Sequence, residues 1–178
     1  MQKIYHITHI DNFDSILQNG CLWSDAKRLE EGMNCEIVGM TKIKQRRLKE
    51  IEITCHRGTM VGEYVPFYFC PRSVMLYILH MGNHPDIDYR GGQQPILHLQ
   101  ADLQDSIDWA TDNKVKWAYS DINAGTRYAQ FYKDPDQLDD IIDWSAVNAT
   151  DWKDTAIRDY KQAEFLTYES FPWQLVEK

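Results

Sequence analysis

The chain has 178 residues, 43% of them hydrophobic, which is enough for one buried core and argues for a single domain over residues 1–178. A formal net charge of −8 excludes a broad nucleic-acid-binding surface, because phosphate contacts need clustered cations and any such contact must be local. No apolar run reaches transmembrane length, and Cys21, Cys35, Cys55 and Cys70 lack the paired C-x-x-C spacing of a zinc or redox site. A cytoplasmic protein with reduced thiols and no membrane contact is expected.

Residues 3–8 read as a first strand, with His6 and Thr8 projecting from one face. Asp11 opens a short helix whose apolar Phe13, Ile16 and Leu17 share a face, and Gly20 ends it. Ser24 caps a second short helix reaching Leu29. Residues 30–40 contain Gly32 and Gly39 with little periodicity and read as a long loop, of a length that is usually functional or disordered. Residues 42–49 break the acidic background with a basic run that includes Arg46 and Arg47, and Ile43, Leu48 and Ile51 can form a helical seam. Such a run is either a solvated helix face or a phosphate site, since Arg meets phosphate with two parallel hydrogen bonds.

Met60 to Cys70 is strand-like, with Val65, Phe67 and Phe69 on one face and Pro66 marking an edge or a bulge. Pro71 suits the first turn of a helix that turns Val74 and Ile78 inward. Gly91 and Gly92 mark a turn before a strand at 95–99. A helix over 103–109, a strand around 116–120 and a loop at 121–125 follow. Residues 134–143 are an acidic surface stretch, and a polar segment holding Trp144 and Trp152 leads into a late strand at Glu164-Phe165-Leu166. Strands outnumber long helices, so the fold class is α+β.

Glu164 is an ionisable group in a stretch that otherwise reads as buried, where an unpaired charge is costly. It is either an edge-strand carboxylate facing water or the wall of a cleft, placed to hold a sugar hydroxyl and steady positive charge at an anomeric carbon. His80 and His84 have helical spacing but enclose Gly82-Asn83 without the adjacent Glu of a zinc helix, so no metal site is expected. No Gly-rich phosphate loop, dinucleotide fingerprint or nucleophile elbow occurs. The His6/Thr8 pair, the basic segment behind a long loop and the late-strand Glu164 suit cleavage of a nicotinamide–ribose bond. That leaving group is already cationic and needs no strong general acid. The protein must hold the amide, grip the pyrophosphate and stabilise an oxocarbenium-like centre.

Five stretches in order, at Tyr5–Asn12, Tyr64–Phe69 with Pro71-Arg72-Ser73, Gly91–Pro95, Ser120–Gly125 and Gln162–Leu166, resemble the DarT family of toxins that ADP-ribosylate bases in single-stranded DNA. The resemblance implies an ADP-ribosyltransferase-like split antiparallel β-sheet core flanked by short helices, NAD as co-substrate and no metal. By this likeness Glu164 is the catalytic Glu, and Arg47 or its neighbour Arg46 the catalytic Arg. His6 and Thr8 look like nicotinamide-ribose contacts, with Asn12, Arg46, Tyr68 and Tyr77 as further cofactor-binding candidates. Asn123, Trp152, Lys153 and Arg158 fall where such transferases read the acceptor strand. Asn123 replaces a His found in some relatives, and relatives continue for another strand, so a short or trimmed form is expected. The implied partners are single-stranded DNA and a DarG-type macrodomain antitoxin. Transfer to RNA or protein, or a non-enzymatic NAD- or nucleic-acid-binding module, are the competing readings.

Overall fold

A computed structural model describes residues 2–177. β1 (Lys3–His9) leads into α1 (Phe13–Asn19) and the short β2 (Cys21–Trp23). α2 (Asp25–Glu30) and α3 (Thr41–Lys49) flank the long loop. β3 (Tyr64–Tyr68), α4 (Val74–Met81), β4 (Ile96–Asp102) and α5 (Leu103–Asp112) come next. β5 (Trp117–Ser120) and β6 (Phe131–Tyr132) precede three short helices, α6 (Leu138–Ile141), α7 (Trp144–Asn148) and α8 (Thr155–Tyr160). β7 (Glu164–Tyr168) and β8 (Ser170–Pro172) follow. Six strands form one antiparallel sheet in the order β4-β1-β3-β7-β5-β6, and β2 pairs with β8 in a second, two-stranded sheet. This is the expected α+β architecture, with short helices around a sheet core.

The large sheet is two ladders joined at one point. β1 and β4 pair continuously from Lys3↔Asp102 to His9↔Ile96, and β3 and β7 from Tyr64↔Tyr168 to Tyr68↔Glu164. β1 and β3 meet only at Tyr5↔Tyr68. Pro66 sits beside the gap. Its carbonyl oxygen accepts the Nδ1–H of His6 at 2.8 Å. The nitrogen and carbonyl of a strand residue point the same way, so the N–H that proline lacks would also have faced the gap, and no ladder bond is lost. The expectation of an edge strand or bulge is thus corrected: β3 is central, and the split accommodates the proline.

Val65, Phe67 and Phe69 share one face as their alternation predicts and are fully buried, with the Phe67 ring 4.4 Å from that of Phe171. Two local expectations fail. Leu17 is 44% exposed while Ile16 is buried, because a two-turn helix presents only a narrow stripe to the core. Pro71 precedes its helix rather than opening it: the Ser73 hydroxyl accepts the Leu76 N–H at 3.2 Å and makes Ser73 the N-cap. Gly20 does end α1, in the left-handed conformation at φ 66°. No helix among the described residues is long and apolar enough to cross a membrane.

Asp102 ends β4 and caps α5, its Oδ1 accepting the N–H groups of Gln104 at 2.9 Å and Asp105 at 3.2 Å, with Lys3 Nζ 3.2 Å from Oδ2. Asp102→Ala is expected to lower unfolding free energy by about 1–2 kcal/mol, read as a lower urea midpoint with an unchanged m-value.

Candidate active site

Glu164 opens β7 directly opposite Tyr68, which in turn faces Tyr5, so it stands in the row where the two ladders meet. It is 1% exposed, which removes the reading of a water-facing edge carboxylate. Its Oε1 accepts Arg47 Nη1–H at 3.0 Å and the Ala124 N–H at 3.1 Å, and its Oε2 accepts Arg47 Nη2–H at 2.8 Å. Its own N–H donates to Ser120 Oγ at 3.1 Å. An ionised carboxylate has about four acceptor positions, so one on Oε2 remains free. Burial works against the charge of Arg47, but the Glu164 carboxylate more than offsets it and holds the guanidinium above its ordinary pKa.

Two glycines let α3 bring Arg47 this close. A Cβ at Gly62 would lie 2.7–2.9 Å from Leu48, its backbone included, and one at Gly125 would lie 2.7 Å from Ile43 Cγ2. The Ile43–Leu48 seam therefore packs on bare backbone. Successive helical residues point about 100° apart, so only one of the two adjacent arginines can face Glu164. Arg47 does. Arg46 is not among the cleft-lining residues and its Nε is buried without a partner, which corrects its place among the cofactor candidates.

The cleft beside Arg47 encloses about 240 Å³. His6, Thr8, Asn12 and Tyr68 line it. The Nδ1–H of His6 is committed to Pro66, and burial first, then nearby Lys44, push its pKa below the usual value, so the ring is neutral with Nε2 uncommitted. Asn12 donates to Thr8 Oγ1 at 3.1 Å and to the Glu36 carbonyl at 3.0 Å, and accepts the Glu36 N–H at 2.8 Å. It thereby staples the long loop to β1. Burial first and then the Glu164 charge raise the pKa of Tyr68, against Arg47, and keep the phenol protonated. Asp25, at the start of α2, accepts Lys44 Nζ at 2.8 Å and Arg28 Nη2 at 3.0 Å. Burial raises its pKa, but Lys44, Arg28 and Arg47 together pull it below the ordinary carboxylate value.

Tyr77 does not reach the cleft. Met75 and Ile78 of α4 line it, and Tyr77, pointing elsewhere on the same helix, is 47% exposed with its ring 5.9 Å from Trp152. Asn123 lines the cleft and donates to Gln162 Oε1 at 3.1 Å. Trp152 packs outside it, with Lys161 Nζ 5.0 Å from its ring. Lys153 and Arg158 are exposed on the neighbouring segment, Lys153 beside Asp151 at 3.5 Å. Sequence reasoning did not single out Asp25, Lys44 or Gln162 as site residues. Ser24 as a helix cap pointed to the start of α2, and Gln162 lay inside a quoted motif, so both carried a signal. The Ala124 N–H carried none, because a backbone donor has no residue-type signature.

Removing Arg47 leaves a buried carboxylate with one N–H partner, so Arg47→Ala should cost about 3 kcal/mol. Glu164→Gln frees an Arg beside the cleft, where it can hydrate, and should cost about 1 kcal/mol. Urea denaturation of both variants checks that order. Gly125→Ala should press on both Ile43 Cγ2 and Asn123 Oδ1 and lower activity, and adding Ile43→Ala, which removes the first of these clashes, should restore part of it in a steady-state comparison of the single and double variants.

A family model described as "ssDNA thymidine ADP-ribosyltransferase, DarT" matches residues 5–178. A DNA ADP-ribosyl transferase of Thermus aquaticus is 38% identical over 175 residues, covering 98% of this chain and 72% of that protein. DarT of Thermus sp. 2.9 in complex with ADP-ribosylated single-stranded DNA superposes with a TM-score of 0.86 at 35% identity, covering 99% of this chain and 79% of the other. The same protein in complex with NAD+ gives a TM-score of 0.81 at 34% identity over the same shares. A fusion of DNA ADP-ribosyl transferase to DNA ADP-ribosyl glycohydrolase from Thermosipho africanus is 37% identical over 78 residues, 44% of this chain and 19% of the fusion. Matched by that family model over residues 5–178 and by relatives of this identity over nearly its whole length, the chain belongs to the DarT family of single-stranded-DNA thymidine ADP-ribosyltransferases.

Proposed function

We propose that this chain transfers ADP-ribose from NAD+ to a thymidine base of single-stranded DNA and releases nicotinamide. The observation that carries the reading is the buried Arg47–Glu164 fork at the wall of the cleft, in a chain of this family. The cleft's chemistry fits NAD+. The uncommitted Nε2 of His6 and the Tyr68 ring suit the nicotinamide riboside end, and Lys44 and Arg28 gather positive charge suited to a pyrophosphate.

In the reaction the bond between ribose C1′ and nicotinamide breaks and its electron pair neutralises the pyridinium. The acceptor base bonds to C1′ and releases its proton. Glu164 takes a ribose hydroxyl at the free position on Oε2 and steadies the oxocarbenium-like sugar. Arg47 stays protonated, so it acts by charge, stabilising the base as its proton leaves. Glu164 does not itself line the cleft, and Arg47 stands in front of it. The fork therefore has to open when both substrates are seated. Asn123 and Gln162 offer amide donors and acceptors for a base edge, and Trp152, Lys153 and Arg158 meet the strand outside the cleft. A DNA ADP-ribosyl glycohydrolase that removes the modification, like the half fused to the Thermosipho relative, is the expected partner, and the cytoplasm, which holds NAD and single-stranded DNA, the expected compartment.

Mass spectrometry of thymidine-containing and thymine-free single strands, incubated with the protein and NAD+, tests the reading. One ADP-ribose should add to the thymidine strand only, and Glu164→Gln should slow the addition by about 10²–10³-fold. Addition to RNA or protein in place of DNA would overturn the acceptor.

A further inference from the structure

A second cluster of charge lies away from the cleft. Lys114 and Lys116, on the approach to β5, Lys133, just past β6, and His56 frame a hollow of about 280 Å³ floored by Val115 and Trp117. No acidic residue lines it. The chain carries 27 acidic and 19 basic residues, yet none of these three lysines has a carboxylate partner among the described residues. All three are exposed, and Lys116 Nζ lies 5.1 Å from the centre of the Tyr168 ring.

Helix capping accounts for one of them. Lys114 takes the left-handed conformation at φ 56° just past α5, with its N–H on the Thr111 carbonyl at 3.1 Å, and a cation there suits the helix C-terminus. The Tyr168 ring accounts in part for Lys116, and neither contact accounts for Lys133, which follows β6.

β6, the free edge of the sheet, runs from the candidate acceptor site toward the hollow. Phe131 pairs with Ser120, whose hydroxyl holds the Glu164 N–H, and Tyr132 pairs with Tyr119 one step further from it. Lys133 continues in that direction. At the near end stands Tyr128, 83% exposed. A single strand leaving the acceptor site along this edge passes an open aromatic ring and then reaches three amines without a carboxylate partner, Lys116 resting on Tyr168, the combination of stacking and backbone neutralisation that holds single strands without reading sequence.

We propose that the Lys114/Lys116/Lys133 hollow binds backbone phosphates of the DNA substrate beyond the acceptor base. The site rests on the function proposed above and supplies the local positive patch that a chain of net charge −8 needs.

Fluorescence polarisation without NAD+ tests it, using a short strand that spans only the acceptor and its neighbours and strands extended on the 5′ or the 3′ side. The wild-type protein should bind one of the extended strands more tightly than the short one. The triple variant Lys114→Gln/Lys116→Gln/Lys133→Gln should bind that extended strand about tenfold more weakly, with the short strand unaffected. Its slope of log affinity against log salt should be shallower by about 0.7 for each phosphate that is no longer neutralised. An unchanged length dependence and salt slope in the variant would overturn the proposal, and would leave the hollow to an acidic protein surface. Transfer to the short strand, measured in parallel, should be equal for both proteins. Its absence from both would count against the proposed function and not against this site.

Discussion

A carboxylate buried inside a β-strand, as at Glu164, carries a desolvation penalty of several kcal/mol, and the two-pronged bond from Arg47, with the Ala124 N–H, is what offsets it. Much of the surrounding structure exists to deliver those donors. Arg47 rides on a helix that has no buried residue and no side-chain N-cap, so its position comes from contacts along one seam. Gly62 and Gly125 allow the seam to come within reach, and the Lys44–Asp25 bond ties it to α2. Ala124 belongs to the same loop as Gly125. One short segment therefore supplies both a donor to the carboxylate and the bare backbone on which the helix rests.

The split sheet supplies the other half of the arrangement. His6 and Thr8 come from β1, Tyr68 from β3 and Glu164 from β7, and they can line or wall one cleft because β1 and β3 separate after a single pair. Asn12 then fixes the long loop beside the cleft with two hydrogen bonds to Glu36 and is itself held to β1 by a third, to Thr8. The charges are graded as well. The His6 ring is kept neutral by burial, whereas Asp25 is kept ionised by three cations that outweigh its burial.

Where residue type dictates local geometry, the sequence is a good guide to this fold. The alternation of Val65, Phe67 and Phe69, the capping of α2 by Ser24, the left-handed Gly20 and the loop before the basic helix all follow from short-range rules. Glu164 was legible because a carboxylate in an apolar strand demands a partner. What was not legible depends on tertiary contact. Pro66 spoke for an edge strand, and only the split beside it makes a central position harmless. The choice between Arg46 and Arg47 turns on helical phase against a loop far away in sequence. Tyr77 shares a helix with two cleft residues and still points elsewhere. The resemblance to a known family singled out the late-strand Glu, and the side-chain bonds that hold it required the structure.

The junction at Tyr5 and Tyr68 also has a mechanical consequence. Deformation concentrates where the fewest hydrogen bonds cross. The β4–β1 ladder and the β3–β7–β5 ladder share a hydrophobic core but are joined within the sheet by one residue pair, and the cleft lies along that junction. Changing its gape strains one strand pair and the His6–Pro66 bond while the long ladders stay intact. A residue with no N–H to surrender thus marks the compliant seam, so the opening can widen for a dinucleotide and tighten around it without any strand unfolding.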